Sequence, residues 1–137
     1  MNILAALLCL FAFPATAQTP TQTPSQMQMK AALGAYFDAM NAGDTAKLKS
    51  MFSDDAMIED PFGTPLRTSN AFFDRLATVK LNFKILAVTA PAMPTAAAAV
   101  NLTTPHGTLT VIELFTFKPE GNISSLKAYW GSDDRKQ

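Results

Sequence analysis

Apolar positions change their period twice along the chain, dividing it into a leader, a helical half and a stranded half. Residues 3–13, ILAALLCLFAF, form an unbroken apolar run, whereas residues 18–26, QTPTQTPSQ, contain nothing suited to a core. Met29, Leu33, Tyr36, Phe37 and Met40 then recur at helical spacing, which places them on one stripe of a first helix. NAGD follows, and its Asn and Gly are the residues expected at a helix end. Asp44 or Thr45 caps a short second helix with Leu48, Met51 and Phe52 on one stripe, ended by SDD. AMIED reads as extended, and Pro61 with Gly63 turns the chain after it. A third helix is predicted from about Ser69, with Phe72, Phe73, Leu76 and Val79 inward. The pattern thus predicts three helices before any long strand.

Beyond Lys80 the character changes. KLNFKILAVT, TAAAAVNLTT, GTLTVIELFTF and NISSLKAYWG are separated by the turn clusters APAMP, PHG and KPEGN, which predicts four strands in a meander. Ala96 to Ala99 have helical propensity, but Pro91, Pro94 and Pro105 leave too little room for a stable helix, so this segment is read as a strand. Its small side chains leave space above one face of the sheet. Helices first and a mostly antiparallel sheet afterwards is an α+β pattern, in which helices cover one face of a curved sheet.

The leader has the form of a signal peptide: an apolar run too short to span a bilayer, then Pro14 and the small-residue pattern ATA. Cleavage is expected after Ala17, although the region before the run holds no Lys or Arg. Residues 18–26 then form a flexible polar linker and residues 27–137 a single domain. The expected location is periplasmic or secreted. The one cysteine, Cys9, lies within the leader, so the exported domain holds together without disulfides. With eleven basic and eleven acidic residues the net charge is zero, which favours neither nucleic acid nor, after cleavage, a membrane surface as partner. Ten Phe and seven Met exceed what a small core needs, and the surplus points to a lined cavity.

Three polar groups stand out against this background. In MIEDPFG the acids Glu59 and Asp60 are adjacent, so alternation sends Asp60 to the side of Ile58 and Phe62 and Glu59 to the other. Glu113 shares its strand face with Leu109, Val111, Phe115 and Phe117, all apolar. A carboxyl there is desolvated, its pKa rises, and it becomes a protonated hydrogen-bond donor; the competing reading is an outward glutamate on a half-exposed strand. Tyr36 lies on the inward stripe of the first helix, where its hydroxyl needs a partner, either within the core or on a ligand. Trp130 shares a strand face with Leu126 and Ala128 and is expected to line the cavity.

The segments YFDAMNAGD, MFSDDAMIEDPFG and AYWG resemble the first-helix, base-bearing and terminal-strand motifs of bacterial steroid Δ-isomerases (ketosteroid isomerases), within the NTF2-like (SnoaL-like) superfamily. The resemblance runs from about Met27 to Gly131. It implies an NTF2-like cone of three helices wrapped by a curved sheet, usually dimeric, acting without a cofactor or metal on a steroid or similar unsaturated ketone. Asp60 matches the family's general base and Tyr36 its oxyanion-hole tyrosine, and Glu113 falls where the family has a protonated Asp. In that family the Asp is a known case of a carboxylic acid kept neutral by an apolar site. Phe52, Phe62, Phe73, Phe115 and Trp130 would form the substrate-binding walls. Two departures accompany the match: Glu113 is one methylene longer than Asp, and Phe52 and Phe73 lie about where some members carry further tyrosines.

Two other readings compete. A non-catalytic NTF2-like module would bind a hydrophobic small molecule or a partner protein, with the acids merely structural. Dehydratase or hydrolase chemistry would want a histidine, and the chain's single one, His106, lies in the TPHG turn, where a solvent-facing role is expected.

Overall fold

Ser25 opens the first helix, α1 (Gln26–Ala42), through a capping box in which its hydroxyl accepts from the Gln28 N–H and the Gln28 side chain accepts from the Ser25 N–H. The computed structural model describes residues 23–60, 64–92 and 94–130, with backbone alone for residues 60 and 64–67. Gly43 ends α1 in the left-handed region at φ 68°, a conformation that costs glycine little. Asp44 then caps α2 (Thr45–Met51) by accepting from the Lys47 N–H. The stripe of Met29, Leu33, Tyr36, Phe37 and Met40 is buried as its spacing predicts.

The second helix stops one residue earlier than expected. Phe52 is already extended, at φ −101° and ψ 150°, and begins β1 (Phe52–Asp60), which absorbs SDD. Its ring enters the core against Phe73, and its backbone pairs with Ile123, so tertiary packing overrides the helical spacing. β1 turns back into β2 (Thr64–Thr68), a strand the sequence pattern did not predict. The third helix, α3 (Ser69–Leu76), therefore follows a nine-residue strand rather than preceding all long strands. Phe72 and Phe73 are inward, but Val79 lies past the helix end and is exposed. The Pro61–Gly63 turn lies outside the described residues.

The expected meander follows as β3 (Asn82–Ala92), β4 (Thr95–Thr104), β5 (Gly107–Phe117) and β6 (Ile123–Tyr129). Together the strands form one six-stranded sheet in the order β2-β1-β6-β5-β4-β3, antiparallel at every junction except β1–β6. Register shifts in β1 and β3 are the local irregularities that bend strands and curve a sheet. Pro91 is accommodated because β3 is an edge strand, and its carbonyl accepts from the Gln26 side chain at 2.9 Å. In β4 alternate residues are buried from Ala96 to Leu102, so the alanine run is a strand. Its inner alanines, Ala96 and Ala98, are fully buried. Among the described residues no helix is long and apolar enough to cross a membrane.

Candidate active site

Cross-strand register builds the floor of the site. Glu113 in β5 is flanked by Ala98 of β4 and Ala128 of β6, so small side chains stand on both sides of its carboxyl. The next inward row contains Ala96, Phe115, Leu126 and, through the parallel pairing, Ile58. Glu113 is only 5% exposed, and its neighbours on the same face, Val111, Phe115 and Phe117, are buried as well. The carboxyl therefore lies on the inner face, as its apolar neighbours predict.

The roof comes from α1. Tyr36 is 1% exposed, and its ring meets Phe37 and Phe115 edge-on at centroid distances of 4.9 and 5.1 Å. Phe52 stands 6.1 Å away at a tilt. This aromatic packing locks the ring orientation and hence the hydroxyl.

Between roof and floor lies a narrow apolar cavity whose enclosed volume is about 50 Å³ and which opens to solvent at its mouth. Tyr36, Glu113 and Trp130 all line it, with walls that include Met40, Phe72, Phe83 and Leu102. Three separately predicted residues thus converge on one largely apolar space. Trp130 occupies the place its alternation with Leu126 and Ala128 predicted. The wall from β3 and β4 was missed, although Phe83 and Leu102 stand on alternating apolar positions and pair with one another.

Three of the aromatic residues expected in the binding wall lie elsewhere. Phe52, Phe73 and Phe115 are buried in the core but do not border the cavity. Phe52 and Phe115 pack around Tyr36, and Phe73 packs on Phe52 and Phe72, so they support the lining from a second layer. Phe62 and the Asp60 side chain lie outside the described residues; the Asp60 backbone ends β1, opposite Thr64. Glu59 borders the cavity, while its carboxylate accepts from Lys127 Nζ at 2.9 Å. Lys127 also sits 5.5 Å from the centre of the Tyr129 ring, so this pair belongs to the outer face of the sheet. The Glu59 carboxylate holds Lys127 above the usual lysine pKa. His106 is exposed in its turn, where its N–H donates to Thr104 Oγ1. Among the described residues no group of three or more His, Cys, Asp or Glu is placed to hold a metal ion.

Residues 33–126 match the model of the SnoaL-like domain. The chain belongs to the SnoaL-like family. It is 34% identical over 115 residues to a steroid Delta-isomerase of Nocardioides simplex, an alignment covering 78% of this chain and 93% of that protein. Among solved structures it is similar to the epoxide hydrolase/cyclase-like enzyme SalBIII, described for pyran ring formation in the polyether salinomycin. That match has 26% identity and a TM-score of 0.71, and covers 79% of this chain and 94% of SalBIII. An NTF2-like protein of unknown function from Cytophaga hutchinsonii superposes with a TM-score of 0.70 at 14% identity, over 87% of this chain and 100% of that one. The α+β fold of this SnoaL-like chain is therefore NTF2-like, with a curved sheet.

Proposed function

We propose that this SnoaL-like protein is a cofactor-free isomerase of the steroid Δ-isomerase type, moving a β,γ carbon–carbon double bond into conjugation with a ketone. The observation that carries the reading is the convergence of Tyr36 and Glu113 on one apolar cavity. Identity to the Nocardioides steroid Delta-isomerase across most of both chains supports the same class.

Asp60 acts as general base. It takes a proton from the carbon between ketone and alkene, and the electron pair moves into a dienolate whose negative charge gathers on the former ketone oxygen. Tyr36 and protonated Glu113 donate hydrogen bonds to that oxygen. Such preorganised donors lower the barrier most where water is excluded. Asp60 then returns the proton to the far carbon of the dienolate, which restores the ketone in conjugation with the new double bond. No redox step or group transfer is involved. The substrate is an apolar unsaturated ketone, steroid or steroid-sized.

The proposal extends to the setting of the domain. Residues 1–17 are a signal removed on export to the periplasm or medium, the residues from Gln18 up to the Ser25 cap of α1 are a linker, and the three helices with the sheet close the cone expected of the family. The protein works as a homodimer through the outer face of the sheet. Ile112 and Tyr129, paired neighbours there, are 45% and 47% exposed, and Ile112 borders a shallow groove with Ala87, Ala97 and Ala99.

Turnover of a β,γ-unsaturated ketosteroid to its conjugated enone, measured in buffer without added cofactor, tests the reading. Wild-type protein should exceed the uncatalysed rate. Asp60→Asn keeps the shape of the side chain but removes the base, and should lower the rate by at least a factor of about 100. Failure of the wild type across several steroid and non-steroid enones would overturn the isomerase assignment.

A further inference from the structure

Phe83, whose side chain lines the cavity, lies on β3 at the open edge of the sheet. Its inward neighbour is Leu102 of β4, and no seventh strand covers its other side among the described residues. Asn41, near the end of α1, fills that place. Its Nδ2 donates to the Phe83 carbonyl at 2.9 Å, and its Oδ1 accepts from the Phe83 N–H at 2.7 Å. One carboxamide therefore makes both bonds that a neighbouring strand would make. The pair is half-buried and joins residues 42 positions apart.

The location gives this clamp its consequence. Asn41 directly follows Met40, which lines the cavity, and shares a helix with Tyr36. Phe83 contributes the facing wall and packs its ring 5.6 Å from that of Phe37, next to Tyr36. The side-chain amide thus fixes the spacing between the helix that carries the proposed oxyanion donor and the β3 wall of the cavity.

We infer that Asn41 is a positioning residue that holds the Phe83 wall against α1 and so sets the width of the slot that a flat apolar ligand enters. The inference rests on the proposed isomerase reading for its substrate class. Its physical basis is preorganisation: without the clamp, the β3 edge opens for part of the time. Apparent affinity then falls by the fraction of molecules in which the wall is closed. Chemistry at Tyr36 in the closed, liganded form is little altered. The effect belongs in KM and ligand affinity rather than in kcat.

Asn41→Ala and Asn41→Asp test this. The first removes both bonds; the second keeps an acceptor for the Phe83 N–H but loses the donor to its carbonyl. A phenolic steroid is titrated against each purified, folded protein with Trp130 fluorescence as readout, and turnover of the ketosteroid is measured alongside. Asn41→Ala should weaken binding by about tenfold and raise KM in parallel, with kcat reduced by less than about threefold. Asn41→Asp should fall between it and wild type. In amide exchange, the Phe83 N–H should lose protection in Asn41→Ala while Val100 and Val111 keep theirs. Should Asn41→Ala not fold, Asn41→Asp carries the test, with binding weakened at least about threefold. Affinity within twofold of wild type in the folded variants overturns the inference. So does an exchange increase shared by Val100 and Val111, which marks general destabilisation. The binding titration needs no turnover, so absence of isomerase activity would refute the proposed function and still leave the clamp measurable.

Discussion

Glu113 was only partly legible: four apolar neighbours at two-residue spacing pointed it inward while an outward glutamate on a half-exposed strand competed, and the structure buries it inward. The aromatic residues were not legible in the same way. Phe52, Phe73 and Phe115 are apolar and inward, but spacing cannot tell a residue that borders a cavity from one packed a layer behind it. Only the completed packing around Tyr36 separates the two. The neighbouring acids of β1 give a contrast that tests their roles. Glu59 is committed to Lys127 on the outer face, so Glu59→Gln should lower turnover by less than about tenfold, against the factor of about 100 for Asp60→Asn. The reverse order would mean that the base is misassigned. A second residue-scale prediction concerns Asp55, which the hydrogen bond from Lys118 holds below the usual carboxylate pKa. A carboxyl depressed in the folded state stabilises above its unfolded pKa, and loses that contribution as pH falls through the folded value. Thermal melts should therefore show a small deficit for Asp55→Asn at neutral pH, because the pair is exposed. The deficit should vanish well below about pH 4, the ordinary carboxylate range. A deficit that persists in acid would mean that the ion pair is not its source.

Among the elements, those governed by local chemistry were the readable ones. The first helix, its Gly43 terminus, the Asp44 cap and the four-strand meander all follow from side-chain period and turn residues. Elements settled by distant partners were not. Phe52 leaves the second helix because Ile123 and Phe73 claim it from far along the chain. β2 forms because β1 offers it an edge. Asn41 read as a helix-end residue, since its partner Phe83 is remote in sequence. The start of α1 also lies slightly ahead of the expected domain boundary, with Ser25 as cap and Gln26 bonded to Pro91. Truncation resolves the difference. Removal of residues 1–23 should leave a fully stable fold, whereas removal of 1–26 deletes the capping box and should cost about 1 kcal/mol in denaturant unfolding. Equal stability of the two truncated proteins would show that the cap contributes nothing.

At the scale of the whole molecule, the sheet order could not be read from the chain, because the parallel β1–β6 junction joins its first and last strands. That junction brings Ile58 beside Leu126 and carries the end of β1 to the cavity wall. The outer face of the same sheet carries the proposed dimer contact. Mass measured in solution should be that of a dimer, and Ile112→Lys should shift it to monomer with the fold intact; an unchanged dimer would place the contact elsewhere. The proposed chemistry depends above all on Tyr36 donating, within this cavity, to a developing oxyanion. A phenolic steroid resembles the dienolate in its planar ring and acidic oxygen, and Trp130, the single tryptophan, lines the cavity and reports its arrival. Titration of wild type and Tyr36→Phe with this ligand isolates that hydrogen bond. Binding should be saturable and should weaken by about tenfold or more in Tyr36→Phe, the loss of one charge-assisted hydrogen bond. Binding of equal strength in the two proteins would show that Tyr36 donates nothing to the oxyanion.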